Sequence, residues 1–438
     1  MSNESDNLPP QGRFQRFRKL AGLTAQLGGE ALGKGAKRLV GGGDTELLSR
    51  ATAEKLVATL GDLKGVAMKV GQMASMDPDL LPPEVRNVVA RLQNQAPPMG
   101  SDVVERVIHE QLGERPDVLF AHFDRAPMAA ASLGQVHRAR LHDGREGVVK
   151  IQYPGVEQGL KGDLANLNTL VRTLSLTGGA LDGTAYFNEI RAQLLLELDY
   201  RREARLAQDF REAVGSFAAL EVPRVVEAHS ADRVLVLELL EGPTLQRWLE
   251  SDPSPEERTR VSRQLVEATF GPFLLAGRVH ADPHPGNYLV MPDGRLGILD
   301  FGAVKQLEPA FVEVNRKLLE RLVEGIPQDL TTLSHEAGLT LNLPASESEP
   351  FLQALFEIIS RPLRVEAYDF SQDTMPREVR ELYARNVGKA MKIRPPADSI
   401  FFYRAVTGLG QNLKSIGARG DFRSILRELL TLGTSRAV

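Results

Sequence analysis

Between Val279 and Gly302 the chain reads VHADPHPGNYLVMPDGRLGILDFG, and three of its side chains have the types and spacing to handle a phosphorylated ligand. Asp282 is followed by Asn287 after five residues and by Asp300, at the head of Asp-Phe-Gly, after eighteen. Two carboxylates and an amide are hard oxygen donors, a set that suits Mg²⁺ shared between a few protein groups and phosphate oxygens. One Asp that orients a nucleophile, with an Asn and a later Asp on the metal, is the division of labour of phosphoryl transfer. His280, Asp282 and His284 alternate, and could instead face one way along a strand as ligands of a transition metal. Pro283 and Pro285 oppose a regular strand there, and that alternative leaves Asn287 and Asp-Phe-Gly without a role. Each His is expected to be structural, bonding the backbone or a carboxylate to fix the loop.

Such a site calls for more parts upstream: a small-residue loop over the phosphates, a strand Lys and a helix Glu. Ala129-Ala130-Ala131-Ser132-Leu133-Gly134-Gln135-Val136 fits the frame G-x-G-x-x-G-x-V, with alanine at the first two glycine positions. Alanine keeps the loop small but narrows its backbone choices, so this loop should be stiffer than a glycine one. Fourteen residues beyond Val136, GVVKIQ places Lys150 on an apolar strand. A Lys there is costly to bury unless an anion faces it. In LLLELDYRREARLAQDF, Asp199 and Glu203 lie one helical turn apart while Glu197 points elsewhere, which selects Glu203 as the Lys150 partner. Backbone groups near Glu238 and Leu240, in LVLELLEGPTL, are where an adenine would be met.

These groups need elements to carry them. Residues 44–95 have apolar side chains three and four apart, broken at DPDLLPPE, and SDVVERVIHEQLG is a further helix with Ser101 as N-cap and Gly113 as stop. After Asp124 the texture changes to short β-like runs, with an Asp-Gly hairpin at HDG. A long helical stretch, roughly Val156 to Val214, precedes two strands, VPRVVEAH and DRVLVLELLEG. From Thr244 on the pattern is helical, apart from a second Asp-Gly hairpin in NYLVMPDGRLGILDFG.

Composition narrows the function classes. At 438 residues the chain can bury a large core, and a net charge of −4 argues against general electrostatic capture of nucleic acid. With no cysteine, disulfides, Fe–S clusters and zinc-thiolate sites are excluded. The first residues, MSNESDNLPPQG, do not have the apolar core of a secretory signal, and no run of about 18 apolar residues occurs. From Gln11 to Val40 seven basic side chains face Glu30 alone, with Phe14, Phe17, Leu20 and Leu23 as a helical stripe. That arm suits either peripheral contact with an anionic membrane or a solvated basic tail. The setting expected is cytoplasmic, with peripheral membrane contact through that arm.

Three motifs together give the chain a family resemblance. AAAS (Ala129–Ser132), ELDYRREA (Glu197–Ala204) and KVGQ (Lys69–Gln72) make it similar to the UbiB/ADCK/AarF group of atypical kinases, linked to ubiquinone biosynthesis. The similarity runs from about Lys55 to the C-terminus. It implies an α+β, two-lobed protein-kinase-like fold, with a small β-rich N-lobe, a helical C-lobe and an N-terminal helical extension covering the active site. It also implies that Lys69 on that extension is held by the Glu-x-Asp carboxylates, Glu197 and Asp199, although a regular helix would put these on different faces. The divisions expected are 1–43 for the basic arm, 44–124 for the extension, 125–241 for the N-lobe and 242–438 for the C-lobe.

After Gly302 the pattern turns helical within about eight residues, with no Ala-Pro-Glu and no room for a peptide-docking loop. The expectation is an ATPase or a kinase of a small or lipid-like substrate, binding ATP or ADP with Mg²⁺, in isoprenoid quinone metabolism. Catalysis would fall to Asp282, Lys150, Glu203 and Lys69. Nucleotide contacts would come from Ala129, Ala130, Ala131, Ser132, Gly134, Val136, Lys150, Glu238 and Leu240, and metal contacts from Asn287 and Asp300. The alternatives are a phosphotransferase of the aminoglycoside or choline kinase type, which shares H-x-D-x-H-P-x-N but not the Lys-x-Gly-Gln helix or the alanine loop, and a nucleotide-gated pseudokinase scaffold.

Overall fold

The computed structural model describes residues 99–131, 133–158, 160–161, 195–325, 329–396 and 399–435. The basic arm, the extension as far as residue 98 with Lys69 and Gln72, and Ser132 lie outside the described residues. Two compact units emerge: one runs to Arg201 and includes Val226–Leu237, and the other comprises Arg202–Val225 and Glu238 onward.

In the first unit, helix α1 (Ser101–Leu112) buries Val104, Val107 and Ile108, the i, i+3, i+4 stripe of an amphipathic helix. Its cap is Gly100 rather than Ser101: no side-chain oxygen caps the helix, and the Gly100 carbonyl takes the first amides, from Val103 and Val104. Gly113 ends it in the left-handed conformation, φ 81°. The sheet opposite contains β1 (His122–Phe123), β2 (Ala129–Ala131), β3 (Gly134–Arg140) and β4 (Glu146–Gln152). The chain then leaves through α2 (Tyr200–Ala213) and β5 (Leu220–Glu221) and returns for β6 (Val234–Glu238). The order is β1-β3-β4-β6, with β2 also on β3. Asp143-Gly144 turns the β3–β4 hairpin, with Gly144 at φ 87° and the Leu141 N–H donating to Arg145 O at 2.9 Å. Val149 and Ile151 face inward with Ala139, Val234 and Val236 onto Ile108 and Phe120.

VPRVVEAH does not form a strand. Pro223 has no amide to donate, and the segment keeps only scattered bonds beside β6, Val226 N–H to Val236 O and Glu238 N–H to Arg224 O, before a 3₁₀ turn at Glu227–His229. The helical stretch expected as far as Val214 is also interrupted. Glu197 and Leu198 form a turn, Asp199 precedes the helix, and α2 starts at Tyr200.

The second unit is built on α4 (Pro255–Ala276), which comes after α3 (Leu245–Glu250) and opens with a Ser254/Glu257 capping box. Its inner turns, from Val261 to Leu274, are buried almost all round, the pattern of a central core helix. Around it lie β7 (Arg278–His280), β8 (Tyr288–Val290), β9 (Leu296–Ile298), β10 (Val304–Gln306) and α5 (Pro309–Glu324). Next in the chain come α6 (Leu330–Glu336), α7 (Ala345–Ile359), α8 (Met375–Arg385), α9 (Ser399–Ile416) and α10 (Phe422–Ser435). β9 pairs parallel with β5 and antiparallel with β8, and β7 pairs antiparallel with β10. The sequence assigns α2 and β5 to the β-rich lobe. Ala207, Phe210, Val214 and Phe217 instead join the core of Val279, Leu296 and Phe301, so this segment belongs with the second unit.

Candidate active site

In the second unit, His280 is the hub. It ends β7, is 5% exposed, and its Nε2 donates to the carbonyls of Asp300 (2.7 Å) and Leu299 (3.1 Å). Its Nδ1 accepts from the Asp282 amide at 3.4 Å. One ring thus ties the loop holding Asp282 to the turn holding Asp300. His284 Nδ1 accepts from the Gly286 amide, which shapes the 3₁₀ turn Pro285–Asn287. Both histidines serve the backbone, as the transition-metal alternative does not allow. Among the described residues, no group of three His, Cys, Asp or Glu is disposed to hold a metal ion.

Asn287 Nδ2 donates to the Asp282 carbonyl at 3.0 Å, which fixes the orientation of the amide and tells its nitrogen from its oxygen. The Asn287 carbonyl accepts from Leu299 N–H at 2.8 Å, one residue before Asp300. Asp300 sits at φ 59°, a left-handed conformation that Asp tolerates better than bulkier residues. Its Oδ1 accepts from the Gly302 amide at 3.3 Å. The structure therefore brings Asp282, Asn287 and Asp300 to one place, joined through His280 and the β8–β9 hairpin. Two carboxylates and an oriented amide oxygen fit Mg²⁺ held jointly with phosphate.

Helix α2 is anchored to the same turn. Arg202 Nη1 donates to Gly302 O at 2.9 Å, and the Phe210 ring lies edge-on to His280 at 5.7 Å and tilted against Phe301 at 5.8 Å. Glu203, 4% exposed, shares the buried stripe with Ala207 and Phe210. A carboxylate on that face demands a favourable partner.

Two residues on α9 escape a sequence reading. Arg404 Nη2 lies 3.8 Å from Asp282 Oδ1, with Asp282 buried and Arg404 mostly so. Asn412 Nδ2 donates to Pro283 O at 2.8 Å. Burial first, and the Asp282 charge second, push the Tyr288 hydroxyl well above its ordinary range. The one signal for Arg404 is a lone cation in the apolar run SIFFYRAV, which does not say what it faces.

In the first unit, Ala129 pairs with Val136 and Val136 with Lys150, so three predicted residues form one row across β2, β3 and β4. Val149 and Ile151 point to the core, which puts Lys150 on the other face of the sheet. Ala130 pairs with Gln135 and Ala131 with Gly134, making the alanine stretch a tight hairpin rather than an open loop. A Cβ at Gly134 would lie 2.1 Å from Ile151 O, so only glycine fits this crossing of β3 over β4. In the second unit, Glu238 ends β6 with its N–H committed to Arg224 O, and Leu240 packs over Gly297, where a Cβ would meet Leu240 Cδ1 at 3.1 Å.

Comparison with known proteins gives the family and the fold class. Residues 91–333 match the family model described as ABC1 atypical kinase-like domain. The Saccharomyces cerevisiae protein "Atypical kinase COQ8, mitochondrial" is 28% identical over 434 residues, covering 96% of this chain and 85% of that protein. "Atypical kinase coq-8, mitochondrial" of Caenorhabditis elegans is 32% identical over 363 residues, 80% of this chain but 48% of the relative, so the chain spans about half of that protein. A solved structure, the complex of Rv3197 with erythromycin from Mycobacterium tuberculosis, superposes with a TM-score of 0.62 at 30% identity, over 86% of this chain and 95% of that one. The α+β, kinase-like fold expected from the motifs is the fold observed. With more than half its length matched by that model, the chain is an enzyme of the kinase type and belongs to the ABC1 atypical kinase-like family, alongside the COQ8 kinases.

Proposed function

We propose that this chain is a Mg²⁺-dependent ATPase or kinase that acts on a small or lipid-like acceptor in the service of isoprenoid quinone biosynthesis. The observation that carries the chemistry is the union of Asp282, Asn287 and Asp300 through His280, with the Asn287 amide already turned. Asp282 would accept the hydrogen bond of the attacking hydroxyl or water and take its proton as the new P–O bond forms and ADP departs. Asn287 Oδ1 and the Asp300 carboxylate would hold Mg²⁺, which when bound neutralises charge on the phosphates. Lys150, supported by Glu203, would grip those phosphates beneath the alanine hairpin. The adenine is assigned to the backbone around Glu238 and Leu240, where the Glu238 amide itself binds Arg224 O.

The segment just beyond Gly302 favours a small or lipid-like acceptor. β10 pairs with β7, Leu307 N–H binds Gly277 O at 2.8 Å, and α5 begins at Pro309. That stretch is committed to the fold and offers no platform for a peptide. The quinone assignment rests on the family resemblance, as does a nucleotide-handling role for Lys69; the basic arm is the candidate for contact with an anionic membrane. Among the described residues, no helix is long and apolar enough to cross a membrane.

Steady-state ATP hydrolysis tests the core of the proposal. Asp282→Asn and Asp300→Asn should each lower turnover by about a hundredfold or more while the thermal melt stays close to wild type. Unchanged hydrolysis in both variants overturns the assignment.

A further inference from the structure

We infer that Arg404 is a positioning residue for Asp282, and that turnover depends on its charge while nucleotide binding does not. The inference rests on the role proposed above for Asp282. The Asp282 side chain is 4% accessible and that of Arg404 16%, and the closest approach is 3.8 Å, Nη2 to Oδ1. A carboxylate this deep is unfavourable unless charge or hydrogen bonds compensate it, and a cation shielded from water acts on it far more strongly than one at the surface.

The geometry gives the contact direction. His280 holds the Asp282 backbone amide from the β7 side, and Asn412 holds the next carbonyl, Pro283 O, from α9. Those contacts act on the main chain of the loop and not on the carboxylate, whose direction is set by its own side-chain torsions. Arg404, on the same helix as Asn412, acts on the carboxylate itself. The helix is seated by Phe402, Ala405 and Leu409 in the core of the unit, so the guanidinium is presented from a rigid support. Since 3.8 Å is longer than a hydrogen bond, charge rather than a forked hydrogen-bond geometry carries the interaction, and a lysine should replace it.

The experiment measures ATP turnover and nucleotide affinity of the full chain for Arg404→Met, Arg404→Gln and Arg404→Lys, with thermal melts throughout. Expected is a fall in kcat of about tenfold or more for Met and Gln, ADP affinity within about twofold of wild type, and recovery to within about threefold in the Lys variant. Should Met or Gln fail to fold, the Lys variant still decides, because a folded Arg404→Lys protein as slow as about a tenth of wild type overturns the inference. So does a folded Arg404→Met protein with normal kcat, or one that loses turnover only in step with nucleotide affinity. Asp282→Asn is run alongside. If it is silent, the role proposed for Asp282 has failed; if it abolishes turnover while Arg404→Met does not, only the present inference falls.

Discussion

A histidine with both ring nitrogens engaged is a fixed object, and His280 and His137 are each held in this way. His280 joins Asp282 to Asp300, and His137, in the other unit, seals the base of the sheet. His137 is fully buried and stacked 5.0 Å from Phe123; its Nδ1 donates to Asp124 O, and its Nε2 accepts from Gln135 Nε2, both at 2.7 Å. Gln135 Oε1 in turn takes the Met99 amide. Protonation would turn Nε2 into a donor facing a donor. Burial accordingly holds the His137 pKa below its ordinary value, an effect only partly offset by Asp124. In the unfolded chain His137 binds a proton near pH 6.5, whereas the folded chain resists it, so stability must fall as pH drops below about 6.5 and through the lower folded value. Thermal melts between about pH 5 and 8 should show a shallower acid slope for His137→Gln than for wild type; parallel slopes would exclude His137 as a contributor. The sequence makes Asp282, Asn287 and Asp300 legible because their spacing is a local property. His137 and Arg404 are not legible, since the Asp124 carbonyl that orients His137 and the carboxylate that Arg404 meets are brought to them from chain more than a dozen residues away.

Among the elements, the hairpins are the most readable, because Asp143-Gly144 and Asp293-Gly294 each supply the left-handed glycine their turns need. Three-residue strands such as β7 and β10 are too short to show alternation, and their pairing is invisible until the fold exists. The interruption at Glu197–Asp199 is equally hidden, since the surrounding residues are good helix formers. It matters because the one-turn spacing of Asp199 and Glu203 assumed an unbroken helix. Glu203 keeps its place for another reason, the stripe it shares with Ala207 and Phe210. Phe210 lies in that stripe with no exposed surface and wedges α2 against His280 and Phe301. Phe210→Ala should destabilise the protein by about 3–5 kcal/mol in denaturant melts. It should also slow ATP turnover in the fraction that remains folded, as the hub loses its packing. A loss below about 1 kcal/mol would mean that α2 is held by its ends alone.

At the scale of the whole molecule, the residues proposed for the chemistry belong to both units. Lys150 lies on β4 of the first and Glu203 on α2 of the second, so no single stretch of sequence and no single unit holds both. Motif frames make each legible as a candidate, but the division of the chain places Glu203 apart from the lobe expected for it. A carboxylate at 4% exposure among Ala207 and Phe210 is costly to keep charged without compensation within its own surroundings. If the two act as one device on bound nucleotide, Lys150→Met and Glu203→Gln will each reduce ATP turnover by about tenfold or more, and the double variant will be little worse than the weaker single. Independent roles would instead multiply the two losses, to about a hundredfold or more in the double variant. Turnover and nucleotide affinity of the three proteins, with melts to confirm folding, separate these outcomes. A multiplicative result would detach Glu203 from the nucleotide and leave it as support for the Asp-Phe-Gly turn, to which its neighbour Arg202 is already bonded.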